Sequence, residues 1–411
     1  MKQKNVIIVG GGASGLVAAI SAAREGAKVT ILEQKDRVGK KILSTGNGRC
    51  NLTNEYMQPE CFRGDDTSIV TDVLNQFGYQ ETVDFFEELG VILKNRQGYI
   101  YPISDQASTI LDVLRLELDK LQVSVCLEHK VTAIKKSKKD FIVCTDKGNY
   151  QGESLILATG GKAASVLGSD GSGYTLAKAF CHRLSPVVPA LVQLKGKGAF
   201  FKQVAGVRTQ AKVSLYIDDV MAGSDTGELQ LTNYGISGIP VFQISRCAAK
   251  GLYEKKNVTV EIDFIPTMSE EVFCGFVNKR LIAHGYKNAE EFFIGMFPKK
   301  IIGMLLKEAN ISFTTVMNLV PKEQLKTVLD LCKHFTVHIE GTNDFEQAQI
   351  CAGGVKTTEI NPQTMESLYE PNLYLVGELL DIDGICGGYN LQWAWATGFI
   401  AGKHAAKGSR I

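Results

Sequence analysis

Three glycines near the start of the chain have the spacing of a turn that binds a dinucleotide. Gly10, Gly12 and Gly15 follow an apolar run of strand type, residues 5–9, and precede a helical stretch, residues 16–25. In such a unit the first glycine makes the tight turn, the second lets the backbone approach a pyrophosphate, and the third lets the helix pack close to the strand. The helix N-terminus then presents N–H groups and the positive end of its dipole to the phosphates.

An acidic residue stands where this unit needs a partner for a ribose. The second predicted strand, residues 28–32, ends at Glu33, 18 residues after Gly15. A carboxylate at this point accepts hydrogen bonds from the ribose diol. The glycine pattern alone is a weak signal, but the strand, the helix and the acid occur together at the right spacing. The alternative is a glycine-rich turn without a ligand, in which Glu33 is only a solvated strand end.

Cysteine and histidine give weaker signals for chemistry. The ten cysteines contain no C-x-x-C pair, which argues against a zinc site or a local dithiol and favours buried, reduced thiols in a cytoplasmic protein. Cys50 admits a redox role, but a small packed residue is the favoured interpretation. The six histidines are scattered, and His334 and His338 fall in a predicted strand without other ligands. We therefore predict no metal.

Bulk properties describe an ordinary globular protein of two or three domains. The chain has 411 residues, 45% hydrophobic and 22% charged, and its formal net charge is +1. This balance argues against a general binder of nucleic acids or membrane surfaces, so neither partner is expected. No uncharged run reaches the ~18 residues of a membrane span. Because the glycine pattern begins at residue 10, a cleavable signal peptide is not expected.

Two later segments of the chain again combine a strand pattern with glycines. Residues 155–161 read as a buried strand that runs into a glycine turn, and residues 373–378 repeat this pattern before a last helix at 391–406. Between them, residues 191–264 show the period-2 alternation of antiparallel strands, and residues 269–333 are helical in texture. A nucleotide-binding domain interrupted by two insertions is the simplest architecture.

These later segments favour FAD over a nicotinamide as the bound dinucleotide. The stretch 157–161 resembles the Ala-Thr-Gly turn of two-dinucleotide-binding flavoproteins, and 376–378, followed by Asp381, resembles their C-terminal Gly-Asp/Glu motif. The last helix, preceded by Gly387 and Gly388, can aim its N-terminus at the negative charge of a reduced flavin. The alternative is a glycine-punctuated loop before a core helix. No second Gly-x-Gly-x-x-Gly follows a strand, so NAD(P)H is expected only as a transient visitor.

Three segments resemble a specific family. Residues 45–54, 229–238 and 377–395 are similar to the YhiN/BaiN-type flavoproteins, described as NAD(P)/FAD-dependent oxidoreductases and aminoacetone-oxidase-family FAD-binding enzymes. The resemblance implies an α/β fold: an FAD-binding, Rossmann-like domain of the two-dinucleotide-binding type, interrupted by a β-barrel-like insertion and a small helical domain. The predicted bounds are 1–189 with 345–411 for the FAD-binding domain, 190–268 with 334–344 for the antiparallel β insertion, and 269–333 for the helical subdomain.

The resemblance also implies contacts with FAD. Carried over position by position, these are Ser14, Glu33, Gln34, Lys40, Arg49, Asn51, Val131, Glu378, Asp381, Asn390 and Leu391, with the Val131 backbone next to the adenine. The glycine motifs and their neighbours complete the predicted site: Gly10, Gly12, Ala13, Gly15, Cys50, Thr159, Gly160, Gly377, Gly388 and Tyr389. Arg49 as a solvated loop residue and Tyr389 as a packing residue are the alternatives. No catalytic side chain is predicted.

Three functions remain open at this point. The first is an FAD-dependent oxidoreductase that takes hydride from NAD(P)H and reduces a small organic substrate at a C=C bond. The second is an FAD-dependent amine oxidase of the aminoacetone type that uses O2. The third is a non-catalytic or RNA-linked flavoprotein, which the balanced charge disfavours.

Overall fold

The computed structural model describes residues 3–408 and divides into two compact units. One unit is Met1–Val187 with Gln349–Ile411, and the other is Val188–Ala348. The first unit is therefore built from both ends of the chain. The fold class is confirmed as a Rossmann-type α/β fold that carries a closed β-barrel.

The helices and strands follow one another in three stretches of the chain. The N-terminal stretch contains β1 (Asn5–Val9), α1 (Ala13–Arg24), β2 (Lys28–Leu32), β3 (Thr53–Asn54), β4 (Phe62–Arg63), α2 (Ser68–Gln76), α3 (Tyr79–Glu88), β5 (Leu93–Arg96), β6 (Tyr99–Pro102), α4 (Ala107–Lys120), β7 (Ser124–Cys126), β8 (Val131–Ser137), β9 (Asp140–Thr145), β10 (Gly148–Gly152), β11 (Ser154–Leu157) and α5 (Ser172–Lys178). The middle stretch contains β12 (Val188–Ala190), β13 (Leu194–Gly196), α6 (Phe201–Val204), β14 (Arg208–Ile217), β15 (Val220–Leu231), β16 (Gly235–Ser237), α7 (Ile239–Tyr253), β17 (Val258–Asp263), α8 (Glu270–His284), α9 (Ala289–Phe293), α10 (Lys299–Glu308), α11 (Lys322–Lys333) and β18 (Phe335–Thr342). The C-terminal stretch contains β19 (Ile350–Ala352), β20 (Leu373–Leu375), β21 (Asp383–Gly384) and α12 (Tyr389–Lys407).

A five-stranded parallel sheet in the order β20-β11-β1-β2-β7 organises the first unit. Its central strands are apolar on both faces, as expected for a parallel sheet covered on both sides. The register places Val9 opposite both Leu32 and Leu157, and Leu157 opposite Leu375. The carboxyl ends of four strands therefore meet at one edge, and ligands of such sheets bind outside that edge.

The last helix, α12, is buried along most of its length and packs on α1. A methyl group on Gly398 would overlap the Ser14 carbonyl oxygen, and one on Gly402 would overlap the Ala18 carbonyl oxygen. The Ser21 hydroxyl donates to the Phe399 carbonyl across the same contact, at 2.8 Å. Small residues thus let the two backbones approach, so that both helix N-termini point to the same region of the sheet edge.

The second unit contains a closed barrel in the order β13-β16-β15-β14-β17-β18. Its apolar residues form one hydrophobic core together with those of α8–α11, so the barrel and the helical segment pack as one body. Within the predicted β insertion, the structure has a 15-residue helix, α7, which the sequence interpretation missed. The helix begins with Ile239 and Pro240, which suits a first helical turn, and buries Val241, Ile244 and Ala248 at helical spacing.

Within residues 3–408, none of the helices combines the length and the apolar character that a membrane span requires.

Candidate functional site

The glycine turn between β1 and α1 has the geometry that its spacing predicts. Gly10 adopts φ +101°, and a methyl group there would lie 2.5 Å from the Ala158 carbonyl oxygen at the end of β11. A methyl group on Gly15 would overlap the Gly10 carbonyl oxygen. Gly12 differs, because no protein atom lies within 4 Å of the position its Cβ would occupy. The turn is therefore closed by protein on two sides and open at Gly12, where a phosphate needs to approach.

Glu33 lies at the end of β2 with its carboxylate turned toward this turn. The Gly11 N–H donates to Oε2 and the Lys35 N–H donates to Oε1, both at 2.8 Å. A carboxylate oxygen has two lone pairs, so each oxygen keeps one acceptor site for a ribose hydroxyl. The side chain is only 8% exposed, and this burial raises its pKa above the usual range.

This raised pKa predicts that FAD affinity falls in mildly acidic solution. Binding of a diol to the carboxylate favours the ionised form of Glu33, so protonation of Glu33 competes with the ligand. Affinity should therefore be full above the pKa of Glu33 and be lost as the pH drops through it, at a higher pH than an ordinary glutamate with pKa 4.5 would cause. Isothermal titration of the FAD-free protein with FAD between neutral pH and pH ~5 measures this.

The matched variant for this prediction is Glu33→Gln. It should bind FAD about tenfold more weakly at neutral pH, because hydrogen bonds to a charged group contribute about 1.5–3 kcal/mol. Its affinity should also no longer follow this titration. An unchanged pH profile in Glu33→Gln would assign the titration to another group.

The loop after β2 brings a second lysine to the site edge, which the sequence analysis did not single out. Lys40 pairs with Asp36, an exposed carboxylate four residues earlier in the same loop. Lys41 instead reaches Glu378, with 2.7 Å between Nζ and Oε2, and also donates to the Ala163 carbonyl at 3.3 Å. No local signal marks Lys41, because its partner lies 337 residues further along the chain.

Glu378 is a junction between three segments of the first unit. Besides the Lys41 ion pair, its Oε1 accepts the Cys351 N–H at 2.8 Å. The Lys162 N–H in turn donates to the Cys351 sulfur at 3.1 Å. Ser14 lies close by, since a methyl group on the neighbouring Gly377 would lie 2.7 Å from its hydroxyl oxygen. The structure therefore brings Ser14 together with Gly377 and Glu378, although Ser14 and Glu378 are 364 residues apart in sequence.

The structure also shows the surroundings of three other predicted site residues, Gln34, Val131 and Thr159. Gln34 donates to the Gly168 carbonyl, and the His129 N–H donates to the Glu33 carbonyl at 2.8 Å. The latter bond places the segment that leads into Val131, the buried first residue of β8, beside Glu33. Thr159 packs against the helix α5, where a methyl group on Gly173 would overlap its hydroxyl.

The start of α12 is held in place by side chains of its first turn. Asn390 makes two hydrogen bonds to Gly384, one from Nδ2 to the carbonyl at 2.9 Å and one from the Gly384 N–H to Oδ1 at 2.8 Å. The Tyr389 hydroxyl donates to the Tyr56 carbonyl at 2.9 Å. Gly388, at φ +97°, packs against the backbone of Thr53. Leu391 is half-buried in the same turn.

Three predicted residues of the 45–54 loop have different environments. Arg49 is exposed and Asn51 is buried, with its Oδ1 lacking a hydrogen-bond partner among the described residues. Cys50 is fully buried, and burial raises the pKa of its thiol to about 12. The thiolate is the reactive form of cysteine, so this environment favours a packing role for Cys50. Burial likewise raises the pKa of Cys351 to about 12.

Asp381 extends the same edge beyond Glu378. Its backbone N–H donates to the Val355 carbonyl at 2.8 Å, and its Oδ2 accepts the Asp65 N–H at 3.1 Å. Among residues 3–408 no group of three or more His, Cys, Asp or Glu side chains has the arrangement of a metal site.

Comparison with known proteins assigns this geometry to a family. The family described as "HI0933-like protein Rossmann domain" matches residues 4–404. The chain belongs to this family. It is 52% identical, over 97% of this chain and 98% of the relative, to a 3-dehydro-bile acid delta(4,6)-reductase of Clostridium scindens. It is also 28% identical to ribosomal RNA dihydrouridine synthases of Haemophilus influenzae, over 96% of both chains, and of Escherichia coli, over the whole of both.

The chain also shares its fold with solved structures, among them the following two. One is a flavocytochrome c3 fumarate reductase in an open conformation, with a TM-score of 0.51 and 16% identity, over 98% of this chain and 78% of that one. The other is a 3-ketosteroid delta1-dehydrogenase of Sterolibacterium denitrificans in complex with 1,4-androstadiene-3,17-dione, with a TM-score of 0.51 and 12% identity, over 99% of this chain and all of that one. The family match and the 52% identical relative confirm the family resemblance, and the chain is an FAD-dependent oxidoreductase.

The residues of the candidate site fit FAD. The open position at Gly12 is a cradle that a Cβ would fill, and the Glu33 carboxylate keeps two acceptor positions for a ribose. The buried Asn51 Oδ1 is an acceptor that still needs a donor. We propose that Gly12 and Ser14 hold the pyrophosphate, Glu33 the ribose, and Glu378 the hydroxyl-bearing chain of the flavin. The other predicted contacts, Lys40 and Arg49 included, stay predictions.

Proposed function

We propose that this oxidoreductase saturates a carbon–carbon double bond that is conjugated to a ketone in a small, largely apolar molecule. The observation that carries the proposal is the 52% identity with a 3-dehydro-bile acid delta(4,6)-reductase across nearly the full length of both chains. We further propose that NAD(P)H supplies the hydride and visits the site only transiently. A cytoplasmic location is part of the same proposal and rests on the cysteine usage of the chain.

The names of the more distant relatives support the type of reaction. A delta(4,6)-reductase and a dihydrouridine synthase both saturate a C=C bond whose electrons are conjugated with a carbonyl group. The relatives at 52% and at 28% identity share this type of reaction but act on different substrates. The reaction type is therefore more general in the family than either substrate. The small-molecule substrate is favoured by the higher identity and by the net charge of +1.

The chain's own residues can stabilise the negative charge that develops during such a reaction. Bound FAD would supply the hydride, and with it the two electrons, that the substrate gains. The N-terminus of α12, which follows Gly387 and Gly388 and is fixed by Asn390, presents backbone N–H groups and the positive end of a 19-residue helix. Such preorganised dipoles stabilise negative charge without reorganisation during the reaction.

The amine-oxidase and RNA-linked alternatives are not favoured by the 52% relationship, and one experiment separates all three. The purified protein, loaded with FAD under anaerobic conditions, is mixed with NADH or NADPH, and the loss of flavin absorbance is followed. A 3-keto steroid with double bonds at positions 4 and 6 is then added. We expect reoxidation of the flavin together with a product that has gained two hydrogens, identified by mass spectrometry.

Matched controls decide between the alternatives. The corresponding saturated 3-keto steroid should leave the flavin reduced. If pyridine nucleotides do not reduce the flavin and aminoacetone does, the oxidase reading replaces the proposal. If only unmodified ribosomal RNA reoxidises the flavin, the substrate is RNA.

A further inference from the structure

A small antiparallel sheet in the first unit presents two tyrosines on its open face. The sheet has the order β3-β6-β5, and β6 runs from Tyr99 to Pro102. Side chains alternate along it: Ile100 and Pro102 are buried, whereas Tyr99 is 41% exposed and Tyr101 is half-buried. The two phenol rings therefore lie on the same side, two residues apart.

This open face borders the start of α12 and the glycine-rich loop at 45–51. A methyl group on Gly387 would lie 3.2 Å from Cε1 of Tyr99, and the neighbouring Asn54 donates to the Gly387 carbonyl at 3.1 Å. A methyl group on Gly46 would lie 3.6 Å from Cε1 of Tyr101. The rings thus touch the two glycine-bearing segments that the flavin site requires, although neither tyrosine belongs to the predicted site.

The phenol groups are available for a ligand. Neither hydroxyl has a hydrogen-bond partner among residues 3–408. The Arg96 guanidinium lies over the Tyr101 ring, with Cζ 5.6 Å from its centroid, and so restrains that ring. The Tyr101 hydroxyl is a protonated donor at neutral pH, as an ordinary phenol is, and burial raises its pKa further.

We propose that Tyr99 and Tyr101 form one wall of the substrate site, and that this wall receives a flat, apolar enone. The proposal rests on the function proposed above. Tyr99, the more exposed ring, packs against the face of the fused rings, and the Tyr101 hydroxyl donates a hydrogen bond to the ketone oxygen. An aromatic face with a polar tip suits a molecule that is apolar in its body and polar at one carbonyl.

The charge that develops during the reaction explains why Tyr99 and Tyr101 would have different roles. A hydride adds to the β-carbon, the π-electron pair of the C=C bond moves toward the carbonyl, and a proton from water then adds to the α-carbon. Negative charge develops on the ketone oxygen between these two additions. A donor placed on that oxygen is worth about 10²–10³ in rate, whereas stacking contributes to binding in both states.

The test separates binding from chemistry with single substitutions in the FAD-loaded protein. We expect Tyr99→Ala to raise the dissociation constant of the enone about tenfold, measured from the perturbation of the oxidised flavin spectrum, and to leave the maximal rate of flavin reoxidation nearly unchanged. We expect Tyr101→Phe to lower that maximal rate about 100-fold at an almost unchanged dissociation constant. Tyr253→Ala, at an exposed tyrosine of α7, is the matched control and should change neither quantity.

The outcomes distinguish a failure of the proposed function from a failure of the proposed tyrosine wall. If the wild-type protein is not reoxidised by any enone, the proposed function fails before the variants are compared. If it is reoxidised and both variants behave as wild type, the tyrosine wall is wrong. If Tyr99→Ala instead slows only the reduction by NAD(P)H, the wall receives the nicotinamide and not the enone. FAD content and thermal stability, measured on every variant, exclude loss of the fold.

Discussion

Replacement of Gly12 by alanine is expected to weaken FAD binding at least ~100-fold while the FAD-free protein stays folded. The position has φ −82°, which alanine adopts without strain, and no protein atom lies within 4 Å of the added methyl group. The methyl group would instead occupy the opening through which the pyrophosphate reaches the backbone. We expect affinity to fall at least ~100-fold, or about 3 kcal/mol, because contact to the backbone N–H groups is lost.

The free energy of unfolding of the FAD-free protein should change little. Gly→Ala in the chain reduces the entropy of the unfolded state, and alanine is a slightly poorer N-cap than glycine, so the two effects oppose each other within about 1 kcal/mol. Thermal unfolding without FAD and fluorescence titration with FAD measure the two quantities separately.

Gly275→Ala is the matched control for Gly12→Ala. Gly275 lies exposed within α8, also with no atom within 4 Å of its Cβ position, and has an ordinary helical backbone. Alanine there should stabilise the protein by about 0.5–1 kcal/mol and leave FAD affinity as it is. If Gly12→Ala binds FAD as tightly as wild type does, the pyrophosphate does not approach the backbone at Gly12.

The part of the candidate site that lies within one short segment could be predicted from the sequence, because its residues are separated by characteristic short spacings. Gly10, Gly12, Gly15 and Glu33 fall within one β–α–β unit, in which element lengths fix the distance between turn and acid. The apolar runs at 5–9 and 155–161 likewise predicted strands, and the structure shows that β1 and β11 pair in parallel. The strands' common direction then brings the Ala158 turn to Gly10 without further information.

Other features depend on contacts that no local pattern encodes. The helix α7 was missed because residues 191–264 were assigned as a whole to antiparallel strands, whereas Pro240 occupies the first turn of a helix. Tyr99 and Tyr101 show alternation in the sequence, but only the pairing of β6 with β3 shows that their face borders Gly387. Lys41 could not be told from Lys40, since only the folded chain shows which ammonium group meets Glu378.

That distinction between the two lysines leads to the second large expected effect. Lys41→Met should weaken FAD binding about tenfold, because it removes the cation that holds the Glu378 carboxylate at 2.7 Å. Methionine keeps the length and apolar stem of the side chain, so the change removes mainly the charge and its hydrogen bonds. Without Lys41, the Glu378 carboxylate keeps the Cys351 N–H as its remaining described partner and is less well oriented toward the flavin chain.

The effect on stability should be intermediate. Lys41 and Glu378 have side chains that are 23% and 20% exposed, so the pair lies between a screened surface pair, worth about 0–1 kcal/mol, and a buried one, whose disruption costs about 3–5 kcal/mol. We expect a loss of about 1–2 kcal/mol in the free energy of unfolding of the FAD-free protein. Chemical denaturation measures it, and fluorescence titration of the same samples gives the FAD affinity.

Lys40→Met is the control that makes this prediction decisive. Lys40 meets Asp36, whose side chain is 63% exposed, so its loss should cost less than about 0.5 kcal/mol and leave FAD affinity nearly unchanged. If Lys40→Met weakens FAD binding more than Lys41→Met does, the contact implied by the family resemblance is correct, and Lys41 is only structural. A double-mutant cycle with Glu378→Gln then locates the effect: a coupling of about 1 kcal/mol in FAD binding shows that Lys41 acts through the Glu378 carboxylate, whereas additive losses show that the two side chains contact FAD independently.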